Sequence, residues 1–227
     1  PYGESFDRDG AIMKDAKNLV PVEGMPCALN LISAMLSTEA ENRPTSEEVL
    51  EHPMWWSAHQ RLAFLTDFSD RIEVLNRAKH TSQYHELESL GPWAIGDDGE
   101  WWTRLDPLLV ENLLKVRKYD TRSLRDLLRV LRNKHVHYRE LPVDLQKCLG
   151  GLPDKFLDYF ESRFPNLLMA CFLFAVKCFS DESTFDKYFN AGIAKGLVKI
   201  CAPSVMKDDA LRDAAILVAK ERIEAQE

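Results

Sequence analysis

The sequence is poor in cysteine and lacks the paired cysteines of zinc sites. Its five cysteines are Cys27, Cys148, Cys171, Cys178 and Cys201. No two of them form a Cys-X-X-Cys pair, and an odd number without such pairs is typical of reduced, buried thiols in a reducing compartment. We therefore expect neither a disulfide framework nor a zinc site.

Long hydrophobic runs are also missing. The most apolar stretch, Leu167–Val176, has about half the length that a helix needs to span a bilayer. We expect it to form a buried core helix, and we expect the chain to make no contact with a membrane. The chain begins Pro1-Tyr2-Gly3, without a signal peptide, which favours a cytosolic location.

Strand patterns are rare, whereas helical spacing of apolar residues fills most of the chain. Alternating runs of Val, Ile and Thr are few, and no Asn-Gly hairpin turn occurs. These patterns predict an all-α fold. We divide it into residues 1–56, residues 57–190, and residues 191–227, the last of which look like one or two amphipathic helices.

Helix boundaries follow from apolar periodicity, capping residues and prolines. The predicted helices are Ala28–Leu36, one that Thr45 and Glu48 cap and that ends near Glu51, Ala58–Lys79, Pro107–Val116, Ser123–His137, Asp154–Arg163 and Asn166–Phe179. After Lys79 we expect a loop, because Gly91-Pro92 and the Gly- and Asp-rich residues 96–99 are typical of turns.

Positive charge is segregated within an acidic chain. The formal net charge is −7 at pH 7, which argues against a general nucleic-acid binder, because phosphate affinity comes largely from Lys and Arg. Residues Lys115–Arg139, however, contain nine basic and only two acidic residues. This segregation indicates either a phosphate-facing surface or a solvated helix face.

The helix predicted at Ser123–His137 separates this charge from the core when its residues are placed about 100° apart. The apolar side gathers Leu124, Leu127, Leu128 and Leu131. The opposite side gathers Arg122, Arg125, Arg129, Arg132 and Asn133. His137 follows Asn133 by four residues, so the two are neighbours. One side would pack into the core, and the other would present guanidiniums, an amide and an imidazole.

RNA can be cleaved at such a surface without a metal, because its 2′-OH is an internal nucleophile. The reaction needs a base near the 2′-oxygen, an acid near the leaving 5′-oxygen and positive charge for the transition state. His137 suits the role of acid, and Arg132 suits that of the positive charge. Tyr119 would act as the base only if Arg117, Lys118 and Arg122 lower its pKa; otherwise it positions or stacks on the nucleotide.

The pair His135 and His137 does not predict a metal site. Residues two apart on a helix point about 200° apart, so both rings cannot bind one ion. No cysteine or carboxylate cluster completes a ligand set. Spacing alone does not establish catalysis either, because a lone histidine near a helix end is usually a structural or surface residue.

Two stretches carry a resemblance to a known family. Residues 43–56, RPTSEEVLEHPMWW, resemble the last subdomain of protein kinases. The matching blocks after it are residues 70–73, 117–119, 123–129, 131–134, 137–142 and 159–165. Together they resemble the kinase-extension nuclease domain of the inositol-requiring sensor kinase/endoribonuclease of the unfolded protein response, which is related to ribonuclease L. The resemblance covers about residues 1–190.

The resemblance implies metal-independent cleavage of stem-loop RNA to a 2′,3′-cyclic phosphate, in mRNA splicing and decay. It places the catalytic residues at Tyr119, Arg132, Asn133 and His137. We expect further phosphate contacts from Arg122, Arg125, Arg129 and Lys134. The family also implies a homodimer or higher oligomer, pairing with a full-length sensor, and a position at the ER membrane with this domain facing the cytosol.

The kinase part departs from the family pattern. Residues 1–56 match only the final helices of the C-lobe, and the sequence contains no Gly-rich phosphate loop, VAIK-type lysine, HRD or DFG motif. We therefore expect no ATP or other cofactor and no kinase activity, and we expect Arg43 to lack the glutamate that it pairs with in kinases. The alternative function is a non-catalytic helical dimerisation fragment. Residues 191–227 match nothing expected of the family.

Overall fold

The computed structural model describes residues 2–4, 6–77, 81–96, 99–190, 192, 193 and 196. Across these residues there are eleven α-helices and no strand, which confirms the predicted all-α class. The helices are α1 (Arg8–Met13), α2 (Pro26–Met35), α3 (Ser46–Glu51), α4 (Ala58–Arg77), α5 (Thr81–Ser89), α6 (Gly91–Ile95), α7 (Pro107–Val116), α8 (Leu124–Val136), α9 (Val143–Leu149), α10 (Asp154–Glu161) and α11 (Leu167–Cys178). The helices predicted within residues 191–227 lie almost entirely outside the described part.

The described residues up to Met54 form one compact unit, and those from Trp55 to Asn190 form another. In the first, the predicted cap of α3 is confirmed: the Glu48 amide donates to the Thr45 hydroxyl at 3.3 Å, and the Thr45 amide donates to the Glu48 carboxylate at 2.7 Å. In place of the glutamate that this arginine pairs with in kinases, Arg43 has backbone acceptors. Its guanidinium donates to the carbonyl oxygens of Ser37 and Thr38 at 2.8 and 3.4 Å.

The core of the second unit is aromatic and surrounds α11. Nine of the twelve residues of this helix are buried, which confirms the core helix predicted from the apolar run. Phe172 of α11 lies 5.6 Å from the Trp56 ring, and Phe68 of α4 lies 5.9 Å from Phe174, both edge to face. Such pairs are favourable beyond the area that they bury. Helix α4 is therefore fixed against α11.

Helix α8 packs against α4, α5 and α6. Its four leucines, Leu124, Leu127, Leu128 and Leu131, are fully buried, as the periodicity predicts. The bounds of α7 also agree with the prediction. Among the described residues, no helix has the length and apolarity to cross a bilayer.

The loop predicted after Lys79 is wrong, because α5 and α6 occupy much of this segment. Gly91-Pro92 does not form a turn but begins α6, where a proline in the first turn costs no hydrogen bond. Leu87 of α5 and Ile95 of α6 are buried in the core. These short helices gain their stability from packing, so their own sequence carries little helical signal.

Gly150, at the end of α9, is the glycine whose replacement we expect to be most costly. Its φ is +76°, and an added Cβ would lie 2.5 Å from the Lys155 Cβ and 3.1 Å from the Lys155 carbonyl carbon. Its carbonyl oxygen also accepts a hydrogen bond from the Tyr138 hydroxyl at 2.8 Å. Gly150→Ala should therefore lower the free energy of unfolding in urea by about 1–3 kcal/mol. The neighbouring Gly151→Ala, whose Cβ would meet nothing within 4 Å, is the control. Equal losses would contradict this account.

Candidate active site

The start of α8 is fixed by a carboxylate from another helix. Ser123 is the N-cap, and its hydroxyl accepts from the Asp126 amide at 3.2 Å. Glu88 of α5 accepts from the Ser123 hydroxyl and the Leu124 amide, both at 2.8 Å, and from the Arg125 amide at 3.3 Å. Amides that would otherwise lack partners at the helix start are thus satisfied by a negative charge, which the helix dipole also favours.

A buried ion-pair network joins α8 to α4. The Arg129 guanidinium, 8% exposed, pairs with Glu73 of α4 and with Asp126, the latter at 3.0 Å. Burial alone would lower the pKa of Arg129, but the hydrogen bonds and charges of Glu73 and Asp126 outweigh it and raise that pKa. Because both partners are carboxylates with little exposure, the charge of Arg129 is neutralised within the fold.

Arg132 and Asn133 lie together on the part of α8 that is open to solvent. The Arg132 Nε and Nη2 atoms donate to the Asn133 Oδ1 at 3.2 and 3.0 Å. The Arg132 Nη1 atom pairs with the carboxylate of Asp70 on α4. The Arg132 side chain is 20% exposed, so a ligand in solvent can reach it.

His137 ends α8 and lies one turn beyond Asn133. Its amide donates to the Asn133 carbonyl oxygen at 3.1 Å, which confirms that the two are neighbours. The imidazole is 58% exposed, and its Nδ1 lies 3.1 Å from the Glu140 carboxylate. A carboxylate on Nδ1 favours the tautomer with the proton there, which leaves Nε2 to face a ligand. Glu140 was not among the predicted site residues, although its position three residues after His137 could have indicated this contact.

Tyr119 lies on the segment between α7 and α8. Its ring packs edge-on against the buried Trp101, with 6.2 Å between centroids, and the Arg117 guanidinium lies 5.5 Å from the Tyr119 ring centre. The next amide, that of Asp120, donates to Asp126 at 2.8 Å and ties this segment to α8. Within the described residues, no hydrogen bond joins Tyr119 to Arg132, Asn133 or His137. Three of the four predicted catalytic residues are therefore neighbours, and Tyr119 approaches from a separate segment.

Two of the four residues predicted to contact phosphate, Arg129 and Lys134, do not lie on the accessible surface that this role requires. Arg129 and Lys134 are each 7% exposed. Lys134 donates to Asn112 of α7 at 2.5 Å, and burial lowers its pKa. The helical projection assumed a single packed side, but α8 is surrounded by α4, α5 and α6 and also contacts α7. A residue opposite the leucines is therefore still covered.

The other two predicted phosphate contacts are accessible to different degrees. Arg122 is 76% exposed and pairs with Glu100 at 3.2 Å, so its charge stands at the surface. Arg125 is 17% exposed, pairs with Asp126 at 3.1 Å and lies 5.4 Å above the Tyr84 ring. Only Arg122 of the predicted set of four is thus a freely accessible cation.

His135 faces away from this site. The Thr66 hydroxyl of α4 donates to the Leu62 carbonyl oxygen at 2.8 Å, so it accepts from the His135 Nδ1 at 3.0 Å. Burial and the nearby His59 lower the pKa of His135. Over the described residues, no group of three His, Cys, Asp or Glu side chains is arranged to hold a metal ion.

A family of known proteins matches the part of the chain that contains these residues. The sequence model of the family described as ribonuclease 2-5A matches residues 61–189. The serine/threonine-protein kinase/endoribonucleases IRE1b and IRE1a of Arabidopsis thaliana are 40% and 42% identical to this chain over 188 and 194 residues, which is 83% and 85% of the chain and 21% and 23% of their own lengths.

A third relative comes from a fungus. The sensor for unfolded proteins in the ER, ire1, of Schizosaccharomyces pombe is 41% identical over 192 residues, which is 83% of this chain and 18% of that protein. The chain thus spans about a fifth of the length of the curated relatives that it matches.

The division of the arginines into structural and accessible ones can be tested by stability. Glu73→Gln removes one of the two carboxylates that pair with the buried Arg129 and should lower the free energy of unfolding by about 1.5–3 kcal/mol. Arg122→Gln removes a surface ion pair and should change it by less than about 1 kcal/mol. Urea unfolding of both variants measures the difference. A Glu73→Gln protein as stable as Arg122→Gln would show that the Arg129 network does not hold α8.

Proposed function

Because the chain belongs to the ribonuclease 2-5A family, we propose that it is an endoribonuclease that cleaves stem-loop RNA at the exposed edge of α8. The observation that carries the proposal is the grouping of a guanidinium, an amide and an imidazole at Arg132, Asn133 and His137. The relatives' printed names include an endoribonuclease and a sensor for unfolded proteins in the ER. We therefore propose a role in mRNA splicing and decay during the unfolded protein response.

The proposed reaction begins with attack by the 2′-oxygen of the RNA on the adjacent phosphorus. The proton of the 2′-OH passes to a base, the O2′–P bond forms, and the P–O5′ bond breaks. His137 in its protonated imidazolium form, with Nδ1–H on Glu140, donates its Nε2 proton to the leaving 5′-oxygen, which gives a 5′-hydroxyl, a 2′,3′-cyclic phosphate and a neutral imidazole. Arg132 and Asn133 hold the phosphate oxygens as negative charge develops on them. The scheme needs neither metal nor other cofactor, because the nucleophile belongs to the substrate.

Tyr119 is the candidate for the base. Trp101 and Arg117 hold its ring, and the link from Asp120 to Asp126 fixes its backbone relative to α8. In the alternative role Tyr119 stacks on the nucleotide and orients its 2′-OH. Tyr119→Phe separates the two, because phenylalanine keeps the stacking surface and removes the hydroxyl.

The RNA surface that we propose differs from the face expected for α8. Arg122, Arg117 and Lys118 are all exposed and lie on the segment before α8. Phosphates of the stem would meet these cations, and the scissile phosphate would meet Arg132. Arg129 and Lys134 would support the site from within the fold, since both are buried among protein partners.

Assembly and location belong to the same proposal. We propose that two or more copies, or one copy with a full-length sensor, complete the RNA site, and that the domain faces the cytosol at the ER membrane. Residues 1–56 would contribute the end of a kinase C-lobe without kinase activity of its own, since the sequence contains no residues of the phosphate-binding loop or of the catalytic motifs.

Cleavage by the proposed site should persist in EDTA and should require His137. We expect the protein at high concentration to cleave a short RNA stem-loop in EDTA to a cyclic phosphate. His137→Ala should lower the rate by about 10²–10⁴-fold, because the leaving oxygen loses its acid. His85→Ala removes another exposed histidine, from α5, and should leave the rate unchanged. Product analysis by mass spectrometry identifies the cyclic phosphate.

Two results would contradict the proposal. Cleavage that EDTA abolishes would mean that a metal performs the chemistry. Absence of cleavage by a covalently linked dimer would favour the alternative function, a non-catalytic helical module that dimerises with a full-length sensor.

A further inference from the structure

The arginine assigned to the scissile phosphate already has an anionic partner in the protein. Each nitrogen of the Arg132 guanidinium is engaged: Nε and Nη2 with the Asn133 amide oxygen, and Nη1 with the Asp70 carboxylate. Carboxylate and phosphate oxygens meet a guanidinium in the same forked geometry. Resting on the function proposed above, we infer that Asp70 competes with RNA phosphate for Arg132 and must release it when RNA binds.

The position of Asp70 on α4 makes this exchange possible. Asp70 and Glu73 lie three residues apart on one face of α4, and they pair with Arg132 and Arg129, which lie three residues apart on α8. The two ion pairs lie one helical turn apart between α4 and α8. The pair of Arg129 and Glu73 is buried, with 8% and 13% of the respective side chains exposed. The pair of Arg132 and Asp70 is accessible to solvent, because the Asp70 side chain is 58% exposed.

This difference in exposure decides which carboxylate can leave. Asp70 returns to water with little loss, since an exposed ion pair contributes little to stability. Glu73 leaves at a higher cost, because the buried Arg129 guanidinium would keep only Asp126 of the two carboxylates that neutralise it. Asp70 therefore holds the Arg132 side chain across the helix surface in the free protein, and it lowers the affinity for any phosphate that binds Arg132.

The cost of displacing Asp70 is the same for RNA and for a small anion, because each must take Arg132 from it. A single phosphate gains only what it takes from Asp70, whereas a stem also reaches Arg117, Lys118 and Arg122, which are exposed. Removing the carboxylate should then raise the affinity for a small anion and for RNA by a similar factor. From the strength of exposed ion pairs, we expect that factor to be about two to five.

The test is a double-mutant cycle on binding with the whole 227-residue chain. The variants are Asp70→Asn, Arg132→Ala, the double variant, and Asp144→Asn as a control. Asp144 is 83% exposed on α9, so its loss removes an equal charge at a site unrelated to Arg132. The probes are inorganic pyrophosphate and a stem-loop with 2′-O-methyl groups, which cannot be cleaved. Dissociation constants come from isothermal titration and fluorescence anisotropy.

We expect Asp70→Asn to bind both probes about two- to five-fold more tightly than the unaltered protein, and Asp144→Asn to bind them equally well. In the Arg132→Ala background the Asp70 change should have no effect, because the competitor acts only through that arginine. If the affinity also rises when Arg132 is absent, Asp70 acts only through its charge and the inference is overturned. The inference is also overturned if Asp70→Asn does not raise the affinity for either probe.

The outcome is separable from that of the proposed function. Because pyrophosphate binding involves no cleavage, a gain that depends on Arg132 supports the competition even if the protein fails to cut RNA. Conversely, a protein that cleaves the unmodified stem-loop in EDTA, and whose affinity falls in Arg132→Ala but does not rise in Asp70→Asn, keeps the proposed activity and loses the role of Asp70.

Discussion

The contact of the Arg129 guanidinium with Glu73 and Asp126 is the interaction on which the second unit depends. It joins α8 to α4, the helix that packs on the aromatic core. Asp126 extends it to the segment of Tyr119, because its carboxylate accepts from the Asp120 amide. One buried cation thus links α8, the segment of Tyr119, and α4, against which the residues proposed to bind phosphate are held. Removing either carboxylate would leave the buried guanidinium with one carboxylate instead of two, so the loss of either is costly.

Because the buried ion pairs of Arg129 hold α8 against α4, the part of α8 at Arg132, Asn133 and His137 can remain accessible to solvent. Arg132 and Asn133 begin the next turn after Arg129, where α4 offers only the exposed Asp70. His137 lies beyond the last turn and is held by Glu140, itself 75% exposed. The residues to which we assign a chemical role therefore stand on a helix that buried ion pairs hold in place, and their own ion pairs are exposed, so that a substrate could displace them. This is the arrangement that catalysis by positioning requires.

The features that depend on local sequence pattern were predicted correctly. The leucine side of α8, the bounds of α7 and the cap of α3 follow from periodicity and from capping chemistry, which neighbours three or four residues away decide. The neighbouring positions of Asn133 and His137 follow from the same rule. Helices α5 and α6 could not be predicted from the sequence, because short helices are stabilised mainly by packing.

The roles of the arginines could not be separated in the same way. Arg129 and Arg132 are identical in type and three residues apart, yet one is buried and the other is reachable. The difference is made by Glu73 and Asp70 on α4, more than fifty residues earlier in the chain. Helical projection cannot show that, because it treats the opposite side of a helix as solvent. The block of residues 70–73, matched by resemblance alone, turned out to supply both partners.

The central claim is that RNA is held at the outer edge of α8 while the inner network stays intact. A crystal structure of the protein with the 2′-O-methylated stem-loop tests it most directly. We expect a phosphate on Arg132 and Asn133, the His137 Nε2 directed at the 5′-oxygen, Asp70 turned to solvent, and Arg129 still paired with Glu73. A phosphate bound to Arg129, with Glu73 displaced, or an RNA that leaves Arg132 on Asp70, would contradict it.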